Sequence, residues 1–153
     1  MVWTEIGVRS SLKGIEVVRD GHVIFSFGYA GAGPVLDCIE WLGGAMRGAI
    51  VRTGSLDCAS AKLLVHAGVK GVECGEATWG AMTALRASGV EVRTERILRG
   101  PDSGPLSVLD NDEDPQAVYM RMKGSPMLRA MGWGAREIGP TPASALSRHA
   151  LSR

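Results

Sequence analysis

The feature that most constrains this chain is a regular alternation of strand-like and helix-like segments, punctuated by glycine, between Ile15 and Ile97. The run IEVVRDGHVIFSFGY reads as a hairpin. Two stretches rich in β-branched and apolar residues flank Asp20-Gly21, a pair that tolerates the positive φ angles of a tight turn. Gly28, Gly31 and Gly33 break the second strand, and Pro34 suits the first position of a helix, where no backbone N–H is needed. Val35, Cys38, Ile39 and Leu42 then recur at helical spacing until Gly43-Gly44. GAIVRTG predicts a short buried strand. Ser55 predicts the cap of the next helix, LDCASAKLLVHAG, with Asp57 in its first turn and a stop at Gly68. VKGVEC reads as a strand, ATWGAMTALRASG as a helix with Trp79, Met82 and Leu85 three residues apart, and VEVRTERIL as a closing strand. The order β-β-α-β-α-β-α-β predicts an α/β fold: a three-layer α/β/α sandwich about a mixed, mostly parallel sheet, with helices on both faces.

Beyond Gly100 the texture changes. The segment 101–116 is rich in proline and carries Asp110, Asp112, Glu113 and Asp114, so it reads as a solvated acidic loop. The segment 117–153 is a C-terminal extension, first Met-rich and basic, then small and polar. Met120, Met122, Met127 and Met131 with Trp133 suit either packing onto the main domain or an adaptable contact with a partner. This divides the chain into a main α/β domain over 1–100, the acidic loop and the extension.

Composition narrows the function classes. The 17 basic and 16 acidic side chains nearly cancel, which argues against a surface built wholly to hold nucleic acid. A local patch remains open: Arg121, Lys123, Arg129 and Arg136 lie in the extension and could meet phosphates, a partner or the acidic loop. No apolar stretch approaches the roughly 18 residues that a membrane span requires, and no signal-peptide pattern opens the chain. Three cysteines, Cys38, Cys58 and Cys74, make an odd number without a dense framework, so a reducing, cytoplasmic setting is expected.

Few residues form a chemical constellation. GYAGAGP follows a strand and opens a helix, so the backbone N–H groups near Gly31 and Gly33 could cradle a phosphate, or the glycines could simply make a tight turn. His22, His66, Asp37, Glu40, Cys38 and Cys74 show no metal-ligand spacing. His66, just before Ala67-Gly68, reads as a helix C-terminal residue. Ser55 has no neighbouring base in sequence, and Cys58 at a helix start is either a small core residue or a reactive thiol.

Two blocks, DGHVIFSFGYAGAGPVLDCIEWL and GAIVRTGSLDCASAKLLVHAGVKGVECGE, together resemble the cytidine and deoxycytidylate deaminase superfamily. Its members run a hairpin into a Gly-Tyr-Asn-Gly-like loop, a helix opening with His-Ala-Glu, a strand, and a second helix opening with Pro-Cys-x-x-Cys. The resemblance covers Ile15 to Ile97 and implies a fold of the cytidine-deaminase type. It also implies where zinc, its water and a proton-shuttling Glu would sit. Those positions have changed. His-Ala-Glu falls on Gly33, Pro34 and Val35, the Cys pair falls on Ser55 and Cys58, and the sugar-binding Asn falls on Ala30. The resemblance therefore implies a degenerate pocket lined by Ala30, Gly33, Val35, Ser55 and Cys58, with no catalytic residue, no metal and no cofactor.

The expected function is a catalytically inactive deaminase-like protein that acts by binding a nucleotide, a nucleic acid or a protein. As an oligomeric or regulatory subunit it would form a homo-oligomer or pair with a related deaminase-fold chain. The alternative is an active nucleoside or nucleotide deaminase, or another hydrolase, with non-standard ligands or with Ser55 or Cys58 as nucleophile.

Overall fold

The computed structural model describes residues 13–98 and 113–134. The expected acidic loop up to residue 112, the tail from residue 135 and with it Arg136 lie outside the described residues. Strands β1 (Ile15–Arg19) and β2 (His22–Phe27) form the hairpin, turning through Asp20 and Gly21 at φ 52° and 79°. Then come α1 (Ala32–Leu42), a 3₁₀ turn (Gly43–Met46), β3 (Ile50–Leu56), α2 (Cys58–Ala67), β4 (Gly71–Thr78), α3 (Trp79–Ala87) and β5 (Glu91–Leu98). Helices α4 (Pro115–Lys123) and α5 (Pro126–Ala130) follow.

The sheet has five strands in the order β2-β1-β3-β4-β5. β1 is antiparallel to both its neighbours, while β3, β4 and β5 run parallel. The result is a mixed sheet flanked by helices, consistent with the expected three-layer α/β/α class.

Register explains why these segments are strands. Val17, Val51, Val72 and Val92 align as one row across β1, β3, β4 and β5, and the first three are buried. Each such valine contributes about 1.5–3 kcal/mol when taken out of water. One residue along, and so on the opposite face, Glu16, Arg52, Glu73 and Arg93 form a second row of alternating charge. Within it Arg52 Nε donates to Glu73 Oε1 at 3.1 Å. Opposite charges directly across neighbouring strands favour this register over a one-residue slip, which would drive charges into the core.

Helices α1, α2 and α3 each cross from one strand to a parallel one, always stepping in the same direction along the sheet. Right-handed crossovers then set them side by side, and α2 touches both α1 and α3. α4 packs on α2 and reaches α1. Helix α2 is thus enclosed: all seven residues from Cys58 to Leu64 are buried. Small residues (Cys58, Ala59, Ser60, Ala61) make that close approach possible.

Local details refine the expected elements. β3 runs on through Ser55 to Leu56, so α2 is capped by Asp57, whose carboxylate accepts from the Ser60 N–H at 2.8 Å. α1 starts at Ala32, which makes Pro34 its third residue; the N–H groups of a helix's first turn have no intrahelical partner, so proline is still tolerated. Trp79 is 55% exposed whereas Met82 and Leu85 are buried. A three-residue step turns about 300°, so six residues carry Trp79 roughly a third of a turn away from Leu85. Pro115 opens α4 within the segment expected as loop, with Asp114 accepting from the Gln116 N–H. Val118, Met122 and Leu128 of α4 and α5 belong to the same core as the sheet. Among the described residues, no helix is long and apolar enough to cross a membrane.

Candidate functional site

The degenerate pocket expected from the sequence lies where β2 hands over to α1 and β3 to α2. Its five residues are placed differently. Val35 and Cys58 are 1% and 2% exposed, Gly33 is buried, Ala30 is half-buried and Ser55 is exposed. The decisive neighbour was not foreseen. A Cβ built on Gly33 would lie 2.6 Å from both Cδ1 and Nε1 of Trp133, so the indole rests directly on the glycine backbone. Gly33 has an ordinary helical φ, and its missing side chain serves this close approach rather than a turn.

Trp133 is held there from several directions. Phe27 meets it edge-on with centroids 5.2 Å apart, and Tyr29 lies 5.5 Å beyond Phe27. The next residue, Gly134, donates its N–H to Oδ1 of Asp37 at 3.0 Å. Asp37 is 1% exposed, on the buried side of α1. The short turn after α5 returns Trp133 N–H to the Leu128 carbonyl at 2.9 Å, fixing the approach of the ring. No local signal links Trp133 to α1, since the two are about a hundred residues apart. In sequence Gly33 reads as a strand breaker ahead of the helix, so it gave no hint of the contact either.

Gly31 precedes α1 with φ 131°, in the region favouring glycine. It caps the helix without a side-chain bond. The expected phosphate cradle at Gly31 and Gly33 is thus the same helix start onto which Trp133 packs. Ser55 aligns with Glu76 and Arg96 across β3, β4 and β5, and Arg96 ion-pairs with Glu76.

The basic residues of α4 are engaged within the chain. Arg121 grips Glu113 through Nε and Nη2, at 2.9–3.2 Å. Lys123 Nζ donates to Glu40 Oε1 at 3.2 Å and to the Tyr119 hydroxyl at 3.3 Å; that hydroxyl donates to the other oxygen of Glu40. Arg129 Nε donates to the Lys123 carbonyl. His66 lies in the last turn of α2, as expected, and stacks on Tyr119 with centroids 4.3 Å apart, which clamps α2 to α4. The Glu40 hydrogen bond is the main influence raising the Lys123 pKa. Burial first, and then Glu40, raise that of Tyr119.

The fit to a metal is poor. Among the described residues, no group of three or more His, Cys, Asp or Glu side chains is placed to hold one. At the positions the deaminase resemblance assigns to zinc, Gly33 offers no donor and is covered by an indole. Burial pushes the Cys74 thiol up to about 11 and that of Cys38 higher still, so neither is a thiolate at neutral pH.

The sequence matches no family model and no curated protein. In fold the chain is similar to a DUF1893 family protein from Thermotoga maritima, with a TM-score of 0.63 and 16% identity over 77% of this chain and 83% of that one. It is also similar to RibD of Acinetobacter baumannii, at a TM-score of 0.43 and 21% identity over 61% of this chain and 34% of that one. A Thermotoga maritima diaminohydroxyphosphoribosylaminopyrimidine deaminase/5-amino-6-(5-phosphoribosylamino)uracil reductase is similar at 0.42 and 22%, over 60% of this chain and 33% of that one. The chain therefore spans about a third of the length of those two proteins. What the likeness to the DUF1893 protein shows is the fold: a mixed α/β sheet flanked by helices.

Proposed function

We propose that this chain is a catalytically inactive protein of deaminase-like fold that acts by binding. The observation that carries the reading is Trp133 lying on Gly33. Hydrolytic deamination needs an open position where a metal-activated water meets the ring to be attacked. Here the corresponding helix start is filled by an aromatic side chain, backed by Phe27 and tied down through Gly134 and Asp37. Such packing turns a reaction cavity into part of the core, and function then moves to the outer surface. The binding partner is a protein, a nucleotide or a nucleic acid. A protein is favoured, because Arg121 and Lys123 spend their charge on Glu113 and Glu40. Three buried cysteines, an odd number, support a reducing, cytoplasmic setting.

The test is metal content by elemental analysis of protein purified without chelator, paired with an ultraviolet assay of cytidine and deoxycytidylate turnover. Zinc far below one per chain and no turnover are expected. About one zinc per chain, or turnover that disappears on Cys58→Ala, would overturn the reading.

A further inference from the structure

The row of crossover helices ends at α3, as the sheet ends at β5, so both finish at the same border of the molecule. At this border Trp79 is 55% exposed, and Leu98, which pairs with the residue preceding Trp79, is 38% exposed. Beside them runs a groove of about 420 Å³ lined by Trp79, Met82, Thr83, Arg86 and Ala87. Its two ends differ in chemistry. One carries a large indole, the other an exposed guanidinium beside a methyl group.

We infer that this flank of α3 is where two copies of the chain pair about a two-fold axis, each Trp79 lying in the other's groove against Arg86 and Ala87. Trp79 and Arg86 are seven residues apart, two helical turns, so both face the same side. Their midpoint falls between Met82 and Thr83. A two-fold axis there, with the helices antiparallel, brings each indole onto the partner's Arg86 and seats it above the partner's Ala87. The same contact is made twice, as an isologous interface requires. Arginine over an indole face is the strongest of the common cation–π pairs, and Trp and Arg are the residues most enriched among interface hot spots. An acidic peptide would use the guanidinium but leave the indole without a reason to stand out; a second copy uses both. This deepens the binding reading by naming its partner and surface.

The experiment is sedimentation equilibrium of the full chain over a range of concentrations. The native chain should approach twice its own mass. Trp79→Ala and Arg86→Ala should each raise the dissociation constant by about tenfold or more. The arrangement makes a sharper demand when the two variants are mixed. The mixed dimer regains one intact Trp–Arg contact that neither variant forms with itself, so it should be tighter than either. Thr83→Arg, an exposed position beside the axis, should set like charges facing each other and give monomers with an unchanged circular dichroism spectrum. A native chain that stays monomeric at roughly millimolar concentration, or variants that pair as the native chain does, would overturn the inference. Zinc content and turnover are read independently, so that failure leaves the loss of catalysis standing.

Discussion

Replacing Gly33 by alanine turns the central observation into a measurement. In the first turn of an ordinary helix, Gly→Ala stabilises by about 0.5–1 kcal/mol, because it lowers the entropy of the unfolded chain. At Gly33 the added methyl would come within 2.6–2.8 Å of three atoms of the Trp133 ring, distances real Cβ atoms essentially never show. Inserting a methyl into such a contact costs about 1–3 kcal/mol. The ring cannot withdraw cheaply, since Phe27 and the Gly134–Asp37 hydrogen bond hold it on both sides. Gly33→Ala should therefore destabilise by roughly 0.5–2 kcal/mol, the clash less the helix gain. In a Trp133→Ala background those three contacts are gone, and the same change should become stabilising. Urea unfolding followed by far-ultraviolet circular dichroism on the four proteins gives the coupling energy, expected at about 1–3 kcal/mol. If Gly33→Ala stabilises the native chain, or the coupling falls below about 0.5 kcal/mol, the indole does not lie on Gly33 and the filled pocket is wrong.

Two further perturbations probe the same anchoring. Asp37→Ala strips the buried acceptor from the Gly134 N–H; it should cost about 1–3 kcal/mol and speed hydrogen exchange at Gly134, and unaltered exchange would refute the anchor. The Tyr119–Lys123–Glu40 cluster makes a pH prediction. Both pKa values are raised in the folded state, above ordinary values of 10.0 and 10.5, so their stabilising effect is complete below those values and fades as pH rises through the raised ones. As pH rises above about 10, the melting temperature should drop by more in the native chain than in a Tyr119→Phe/Lys123→Met variant; equal drops would remove the cluster from α4 docking.

How much of this was legible follows from how far each signal reaches along the chain. The hairpin was legible because Asp20-Gly21 carries its own backbone preference and the flanking runs alternate locally. The parallel strands were legible because GAIVRTG and VKGVEC are short stretches with β-branched residues and glycines at their edges. Caps were harder. Ser55 and Asp57 are both capping residue types, and only the extra length of β3 decided for Asp57. The three-residue spacing of Trp79, Met82 and Leu85 marks the helix but not its buried face, because it imitates helical periodicity over one step and drifts off it over two. Ala30, Gly33, Val35, Ser55 and Cys58 were singled out one by one, yet what covers Gly33 comes from beyond β5. Trp133 belongs to a basic, Met-rich segment with no periodic tie to α1, and Arg121 and Lys123 looked like a surface patch because Glu40, one of the two carboxylates that engage them, lies some eighty residues away.

The enclosure of α2 has a consequence for how the protein is made. Its outer side is covered by α4, and the helix beside it, α1, is finished only when Trp133 arrives. A ribosome that has just extruded β5 has therefore produced a sheet with its crossover helices, but left its most enclosed helix half dressed. Folding of the emerging chain must wait for residues 115–134, and until then α2 presents an apolar stripe of the kind that holdase chaperones recognise. A chain stopped after β5 would stay in that condition permanently and should aggregate or be degraded rather than accumulate as a smaller soluble domain.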